Sequence, residues 1–328
     1  MIDNTPISCK LIGELYGLDG KQLQVQYFTH LSDYSSWDQR EHADQWLLFP
    51  ENIGPQLSMD ETSLSHGELY TIVTNKAAKG RKGALVAMVK GTVSNAVIAV
   101  LQRVSENIRN QVEEITIDLA PTMERIARRS FPKAVIVSDR FHVQKLASDA
   151  VQELRIKYRW EAIDQENKER ALAKQTDLDF KAHILANGDT QKQLLARSRY
   201  LLFKSSTKWT PSQVHRAEVL FELYPRLEQA YLLAQKLSQI FGRRVSKSMA
   251  YKKLALWYND VEAAQFKSFN VVANTIKNNY QHILNYFNNR STNASAESFN
   301  AKVKALRRQF RGVRDVSTFL FRLSKIYA

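Results

Sequence analysis

The chain has 328 residues, 44% of them hydrophobic and 10% aromatic, with a formal net charge of +14. This length and composition exclude a disordered chain and allow one large domain or two of ordinary size. The longest apolar runs fall far short of the ~20 residues that a bilayer crossing needs, and the first residues lack the basic and apolar parts of a secretory signal. We therefore expect a cytoplasmic protein without a membrane partner.

Cysteine and histidine usage argues against a zinc enzyme. Cys9 is the single cysteine, so the sequence has no intrachain disulfide framework and no cysteine-rich zinc module. No two of the seven histidines have the spacing of a zinc-binding helix. A bound metal ion would therefore be held by oxygen ligands.

Residues 1–54 are predicted to form a short helical region. Residues Cys9 to Tyr16 and Lys21 to Leu31 show helical periodicity on either side of a glycine-containing turn. The pair is either a small helix-turn-helix or a packing arm, and the sequence leaves this choice open.

Residues 55–148 are predicted to form an α/β core. Three alternating segments, which begin at Leu57, Glu68 and Ala84, predict an antiparallel meander. They are followed by a helix from Ser94, a strand from Glu114 to Ile117, a helix from Pro121 to Arg129 and a strand from Ala134 to Ser138. This order of elements is typical of a mixed sheet flanked by helices.

The remainder of the chain is predicted to be helical. The pattern continues almost without interruption from His142 to about Phe287, which assigns residues 149–289 to an all-helical insertion. A break at residues 288–293 precedes the final helices in residues 290–328. In the first of these, Phe299, Val303, Leu306 and Phe310 share an apolar stripe, with Glu297, Asn300, Ala301, Lys304 and Arg308 on the opposite face.

Three acids are candidates for catalysis and metal binding. Asp60 and Asp118 each end an apolar run, and the two-residue period of a strand puts them on the faces of Ser58 and Thr116. Glu297 opens the final basic helix, where Ser295 or Thr292 is a candidate cap and the helix dipole favours an ionised carboxylate. Carboxylates in close proximity repel, and a pair of divalent cations removes that penalty while binding phosphate oxygens. The three acids therefore indicate phosphodiester chemistry.

Basic residues cluster next to these acids. Residues 291–328 contain eight Lys or Arg against two acids, and a second cluster follows the predicted second strand. Such clusters neutralise nucleic-acid phosphates, although a single cluster is equally well explained as solvated surface. The candidate DNA contacts are Lys76, Lys79, Arg81, Lys82, His142, Asn300, Lys304, Arg307, Arg308 and Arg311.

Three further residues compete for a place in the site. Asp139 is an alternative second acid, although it could simply cap the following helix. His142 is interpreted as a packed polar residue or a DNA contact rather than a base, because a two-metal site needs none. Glu61 is expected to point to the other side of its strand and to be structural.

An ordered set of motifs resembles the DDE transposases of bacterial insertion sequences, specifically the ISL-three family. The motifs run from Leu57 to the C-terminus and are Ser58-Met-Asp-Glu-Thr, Glu68-Leu-Tyr-Thr-Ile-Val-Thr-Asn, Ile115-Thr-Ile-Asp, Phe131-Pro-Lys-Ala, Ser138-Asp-Arg-Phe-His-Val-Gln-Lys and Ala296-Glu-Ser-Phe-Asn-Ala-Lys-Val-Lys. The resemblance implies a ribonuclease-H-like core, interrupted by the all-α insertion before the last catalytic helix. It also implies that Asp60, Asp118 and Glu297 are the catalytic and metal-binding triad.

The resemblance further implies an activity and its partners. These are cleavage at insertion-sequence ends and 3′-OH strand transfer into target DNA, with two Mg²⁺ ions for which Mn²⁺ can substitute. The expected partners are double-stranded DNA and further copies of the chain in a synaptic complex, on a bacterial chromosome. Because the zinc-binding segment typical of the family is missing here, either a separate polypeptide recognises the DNA ends or the chain is a partial product. The alternatives are a nuclease without strand transfer and a DNA-binding protein derived from a transposase.

Overall fold

The computed structural model describes residues 1–64, 67–310, 312–313 and 315–328. Within these ranges the chain divides into two compact units. The first contains residues 1–139 and 289–328, and the second contains residues 140–288.

A mixed sheet forms the centre of the first unit. Its described strands are β1 (Trp46–Leu48), β2 (Gln56–Ser63), β3 (Leu69–Asn75), β4 (Leu85–Lys90), β5 (Glu114–Ile117) and β6 (Val135–Ser138), in the spatial order β1-β4-β3-β2-β5-β6. The predicted meander of β2, β3 and β4 is confirmed, and β5 and β6 continue the sheet in parallel with β2. The predicted α/β fold class, a ribonuclease-H-like mixed sheet flanked by helices, is therefore confirmed.

Helices account for most of the remaining regular structure. In chain order the described α-helices are α1 (Cys9–Tyr16), α2 (Gly20–Gln26), α3 (Ser94–Leu101), α4 (Glu106–Arg109), α5 (Pro121–Ser130), α6 (Arg140–Gln175), α7 (Gln191–Arg197), α8 (Pro211–Leu223), α9 (Pro225–Gly242), α10 (Lys247–Ala264), α11 (Lys267–Asn278), α12 (Tyr280–Asn289), α13 (Ala294–Gln309) and α14 (Val316–Tyr327). Across the described ranges, no helix combines the length and the apolar character that a membrane crossing would need.

Each face of the sheet is covered by helices because the strands are apolar on both sides. One face packs against α3 and α5, with Leu57, Met59 and Ile115 in that core. The other face packs against α13 and α14, whose Phe299 and Val303 lie in one cluster with side chains of β3 and β4. The predicted apolar stripe of the final basic helix is confirmed, since Phe299, Val303 and Leu306 are fully buried.

The N-terminal helices pack closely with each other. A Cβ atom at Gly13 would lie 2.5 Å from the carbonyl oxygen of Leu18 and 2.8 Å from the backbone nitrogen of Gly20, so only glycine allows this approach. The predicted second helix is shorter than expected, because α2 ends at Gln26 and the chain continues as a π-helical turn, Tyr27–Leu31. Tyr27 and Cys9 pack with Phe321 of α14; a helix-turn-helix role remains a prediction.

The second unit is helical in its described residues. Helices α6 and α9 form its largest packed pair, and Trp257 of α10 is fully buried, with its indole N–H donating to the carbonyl of Leu233 at 2.9 Å. The expected near-continuous helical pattern is interrupted most extensively at residues 176–190, which form a non-helical connection between α6 and α7.

Candidate active site

Two aspartates lie on neighbouring parallel segments of the sheet, Asp60 within β2 and Asp118 directly after β5. β2 pairs with β5, and their last registered pair is Ser58 with Thr116. Asp60 and Asp118 each follow two residues later, and because side chains alternate along a strand, both project on the face of Ser58 and Thr116. The topology of the sheet therefore brings the two carboxylates to one edge and one face.

Both oxygens of the Asp60 carboxylate accept hydrogen bonds. Oδ1 accepts from the backbone N–H of Glu61 at 2.8 Å, and Oδ2 accepts from the side-chain amide of Asn300 at 2.8 Å. Asn300 lies on α13 and is 7% exposed. The expectation that Asn300 lies on an exposed face of the helix is therefore wrong, because its amide faces the strand that carries Asp60; a DNA contact by Asn300 remains a prediction.

Asp118 is oriented by the start of the next helix. It follows the last residue of β5 directly, and its Oδ1 accepts from the backbone N–H of Ala120 at 2.8 Å. Ala120 immediately precedes α5, whose first residue is Pro121. The short connection between β5 and α5 thus fixes one oxygen of the second acid at the edge of the sheet.

Glu297 lies in the exposed first turn of α13, between two anchors on β2. Four residues before it, the buried amide of Asn293 donates to the carbonyl of Met59 at 3.1 Å. Three residues after it, Asn300 donates to Asp60 and, at 3.3 Å, to the carbonyl of Glu61. Residues at these spacings lie on neighbouring positions of one helical face, so Glu297 lies on the side of α13 that meets β2.

The predicted cap of this helix is wrong in detail. Asn293 occupies the capping position without a side-chain capping bond, and Ser295 lies inside the first turn. The hydroxyl of Thr292 accepts from the backbone N–H of Ala294 at 3.4 Å, one position earlier than a cap would act. The local sequence suggested a hydroxyl cap, but the asparagine at this position is used to bind the sheet.

Glu61 is electrostatically coupled to both aspartates. Alternation along β2 places it on the opposite face from Asp60, as expected. Burial raises the pKa of its carboxyl, and the negative charges of Asp118 and Asp60 raise this pKa further. Glu61 therefore belongs to the electrostatic surroundings of the acids, which the sequence analysis did not anticipate.

Lys76 does not belong to the exposed basic cluster in which the sequence placed it. Its ammonium group donates to Glu114 Oε1 at 3.3 Å and to the hydroxyl of Thr116, and the side chains of Lys76 and Glu114 are 12% and 6% exposed. Burial lowers the pKa of Lys76, an effect that the attraction of Glu114 and Asp139 opposes. The physical reason is topological: Lys76 follows β3 directly, and its side chain reaches past β2 to β5 on the face that carries the aspartates.

Asp139 lies beside Asp118. The register between β5 and β6 ends with Ile117 opposite Ser138, and the N–H of Asp139 donates to the carbonyl of Ile117 at 2.8 Å. The Asp139 side chain is fully buried, whereas Asp118 is only half-buried. This difference in exposure favours Asp118 over Asp139 as the second acid, and the choice between them remains a prediction.

The other predicted DNA contacts differ in exposure. Lys79, Arg81 and Lys82 form an exposed group after β3, and Lys304 and Arg308 are exposed on α13, while Arg307 is half-buried. His142 belongs to α6 in the second unit. Arg311 lies outside the described residues. A DNA contact by any of these residues remains a prediction.

The donor set fits a hard divalent cation. Among the residues that the structure describes, no group of three or more His, Cys, Asp or Glu side chains is arranged so that it could hold a metal ion. The Asp60 and Asp118 carboxylates nevertheless supply the oxygen ligands that Mg²⁺ prefers. A nearby cation would also relieve the repulsion that contributes to the raised pKa of Glu61. Binding of Mg²⁺ by this pair, with Glu297 as a third ligand, remains a prediction.

The sequence of the chain matches the model of a known protein family. The model of the ISL3-type (ISL-three) DDE transposases, described as transposase, matches residues 57–323. This match begins at the first residue of β2 that faces the core and ends within α14, so it contains all three candidate acids. No curated protein matches the chain.

Proposed function

Because this chain belongs to the ISL-three family of DDE transposases, we propose that it cuts the ends of an insertion sequence and joins them to target DNA, with Asp60, Asp118 and Glu297 as its catalytic acids. The observation that supports this most directly is the parallel pairing of β2 and β5, because Asp60 lies in the first of these strands and Asp118 directly follows the second. Glu297 is carried on a helix that is hydrogen-bonded to the first of these strands. The three acids are distant in sequence, yet all belong to one compact unit.

The proposed chemistry has two steps. In the first, a water oxygen bonds to the phosphorus at the end of the element, the bond from phosphorus to the 3′ oxygen breaks, and that oxygen takes a proton to become a free 3′-OH. In the second, this 3′-OH attacks a phosphodiester of the target, and a target 3′ oxygen leaves in its place. One phosphodiester is broken for each one formed in the second step, so no nucleotide cofactor is required.

The acids would hold two Mg²⁺ ions, which Mn²⁺ can replace. When bound, such ions stabilise negative charge on the phosphoryl oxygens and favour the ionised nucleophile. Hydrogen bonds within the chain orient the two aspartates: Asp60 accepts from Glu61 and Asn300, and Asp118 accepts from Ala120. These hydrogen bonds limit the rotation of each carboxylate before any cation arrives, which reduces the ordering cost of binding.

Exposed cations on α13 would hold the DNA backbone next to the acids. Lys304 and Arg308 are exposed on the helix that begins with Glu297. Such contacts position a duplex without reading its sequence. Recognition of the element ends would then come from another part of the chain or from a separate polypeptide, and a synapse of two ends would need at least two copies of this chain.

The test is a cleavage and joining assay. The protein is incubated with Mg²⁺ or Mn²⁺ and labelled duplexes that carry the terminal repeats of its element. Wild type is compared with Glu297→Gln, and with Glu51→Gln as a control that neutralises an exposed glutamate before β2. We expect metal-dependent cleavage and joined products that Glu297→Gln abolishes and Glu51→Gln retains.

The same assay separates the alternatives. Cleavage without joined products would favour a nuclease that lacks strand transfer. Binding of the duplex with no cleavage under any metal condition would favour a DNA-binding protein that has lost its chemistry. Full activity of Glu297→Gln would remove Glu297 from the proposed triad.

A further inference from the structure

The first and third acids of the proposed site are connected by two asparagines on one helix. Asn293 and Asn300 bracket Glu297, and each donates its side-chain amide to β2. The contacts join residues that are 234 and 240 positions apart, with the entire second unit between them in sequence. Chain connectivity alone therefore does not set the position of Glu297 relative to Asp60.

We infer that Asn300 is a positioning residue for the catalytic acids, because its amide holds the Asp60 carboxylate and ties the helix that carries Glu297 to the same strand. This inference rests on the proposed function and extends it to a residue outside the triad. Asn300 does not have to touch DNA or a metal ion to act in this way.

The geometry at Asn300 is specific for an amide. Its Nδ2 donates both to Asp60 Oδ2 and to the main-chain carbonyl of Glu61. Both acceptors lack hydrogens when Asp60 is ionised, so the group that faces them must donate, and the –NH₂ end of asparagine supplies two hydrogens. An aspartate at position 300 would place a second negative charge against Asp60, and a leucine of similar volume would remove both of these hydrogen bonds.

Asn293 acts on the helix rather than on the acid. Its amide donates to the carbonyl of Met59, and the side chain is fully buried. This bond fixes the start of α13 against β2 without contacting the Asp60 carboxylate. The two asparagines therefore have different effects. Asn293 contributes only to the attachment of α13 to β2, whereas Asn300 contributes both to this attachment and to the orientation of Asp60.

The experiment measures metal binding and activity separately. Binding of Mn²⁺ is followed by electron paramagnetic resonance of the free ion, and cleavage is followed as a function of Mg²⁺ concentration. The full chain is compared as wild type, Asn300→Leu, Asn293→Leu and Asp60→Asn, with Asn278→Leu at the exposed end of α11 as a matched control. Thermal melting is recorded for every variant, and Asn300→Ala replaces the leucine variant if that variant does not fold.

We expect Asn300→Leu to weaken Mn²⁺ binding and to raise the Mg²⁺ concentration for half-maximal cleavage by about 10- to 100-fold, the range typical of groups that orient a metal ligand. Asn293→Leu should lower the melting temperature to a similar extent but change Mn²⁺ affinity less, and Asn278→Leu should change neither. Equal Mn²⁺ affinity in wild type and in folded Asn300 variants would overturn the inference. If wild type and Asp60→Asn bind Mn²⁺ equally weakly, the proposed metal site itself fails, and the two failures are thereby distinguished.

Discussion

Asn300 donates a hydrogen bond of 2.8 Å to Asp60, across 240 positions of sequence. A contact over this separation is stable only if the surrounding packing holds both partners, because closing so long a loop carries a large entropic cost. That packing is supplied by the apolar stripe of α13, whose Phe299 is the direct neighbour of Asn300 and is fully buried. The hydrogen bond from Asn300 to Asp60 and the burial of Phe299 thus both result from the packing of α13 against the sheet.

Phe299→Ala should weaken the packing of α13 against the sheet. The substitution removes a fully buried ring that packs with Tyr327, at a centroid distance of 5.4 Å, and substitutions of this kind cost about 3–5 kcal/mol of unfolding free energy. We expect chemical denaturation, followed by circular dichroism, to show this loss, together with weaker Mn²⁺ binding. Ala301→Ser, on the exposed face of the same helix, is the control, and equal stability of the two variants would contradict the assigned packing.

The outline of the first unit follows from local patterns in the sequence. Alternation predicted the meander, the apolar stripe predicted which face of α13 is buried, and the order hydroxyl, apolar residue, aspartate predicted that Asp60 and Asp118 share a face. β1 was missed because a strand of three residues is too short to show a period. Its existence depends on pairing with β4, where Trp46 lies opposite Val89.

The residues that the sequence misassigned are those whose partners are distant. The local sequence around Lys76 or Asn300 does not show whether the side chain faces water or a carboxylate. Only the three-dimensional arrangement decides between these two environments. Lys76 meets Glu114 because β3, β2 and β5 are neighbours in the sheet. No local signal distinguishes it from Lys79, which is exposed three residues later.

Lys304 and Arg308 should contribute to DNA affinity through the phosphate backbone. Each exposed cation that neutralises one phosphate steepens the dependence of log K on log salt by about 0.9. The double variant Lys304→Ala/Arg308→Ala should therefore show a slope smaller by about 2, with weaker binding at low salt, in fluorescence anisotropy titrations of a labelled duplex. Arg128→Ala/Lys133→Ala removes the same charge from exposed positions in and after α5, and an equal change in slope for this control would mean that net charge alone is responsible.

Gly13→Ala should open the N-terminal helix pair. The added Cβ would lie within 3 Å of backbone atoms of Leu18 and Gly20, and these cannot move aside as a flexible side chain would. Overpacking of this kind costs about 1–3 kcal/mol. We expect faster amide hydrogen exchange in residues 9–26, and Leu15→Ala, at a position that is 65% exposed, should leave the exchange unchanged; unaltered exchange in Gly13→Ala would refute the close approach.

Lys76 and Glu114 should behave as a coupled buried pair. Removal of one partner leaves an unpaired charge in a buried position, which costs about 3–5 kcal/mol, whereas removal of both avoids most of that cost. We therefore expect Lys76→Met to destabilise the protein strongly and Lys76→Met/Glu114→Gln to be more stable than the sum of the two single changes predicts. A double-mutant cycle in chemical denaturation measures this coupling, and additive losses would mean that the two side chains do not interact.

Lys76 should also make the free energy of unfolding depend on pH. In the unfolded chain its amine has the ordinary pKa of 10.5, and burial lowers the pKa in the folded chain. Between the lowered value and 10.5, the unfolded state binds more protons than the folded state, so this group makes the free energy of unfolding rise with pH across that window. Lys76→Met lacks this contribution, and the stability advantage of wild type over the variant should therefore grow as the pH is raised toward 10.5.

Lys10→Met, which removes an exposed lysine of α1, controls for the loss of one positive charge. A wild-type advantage that stays constant or shrinks over this range would mean that burial does not dominate at Lys76 and that its ion pair with Glu114 does.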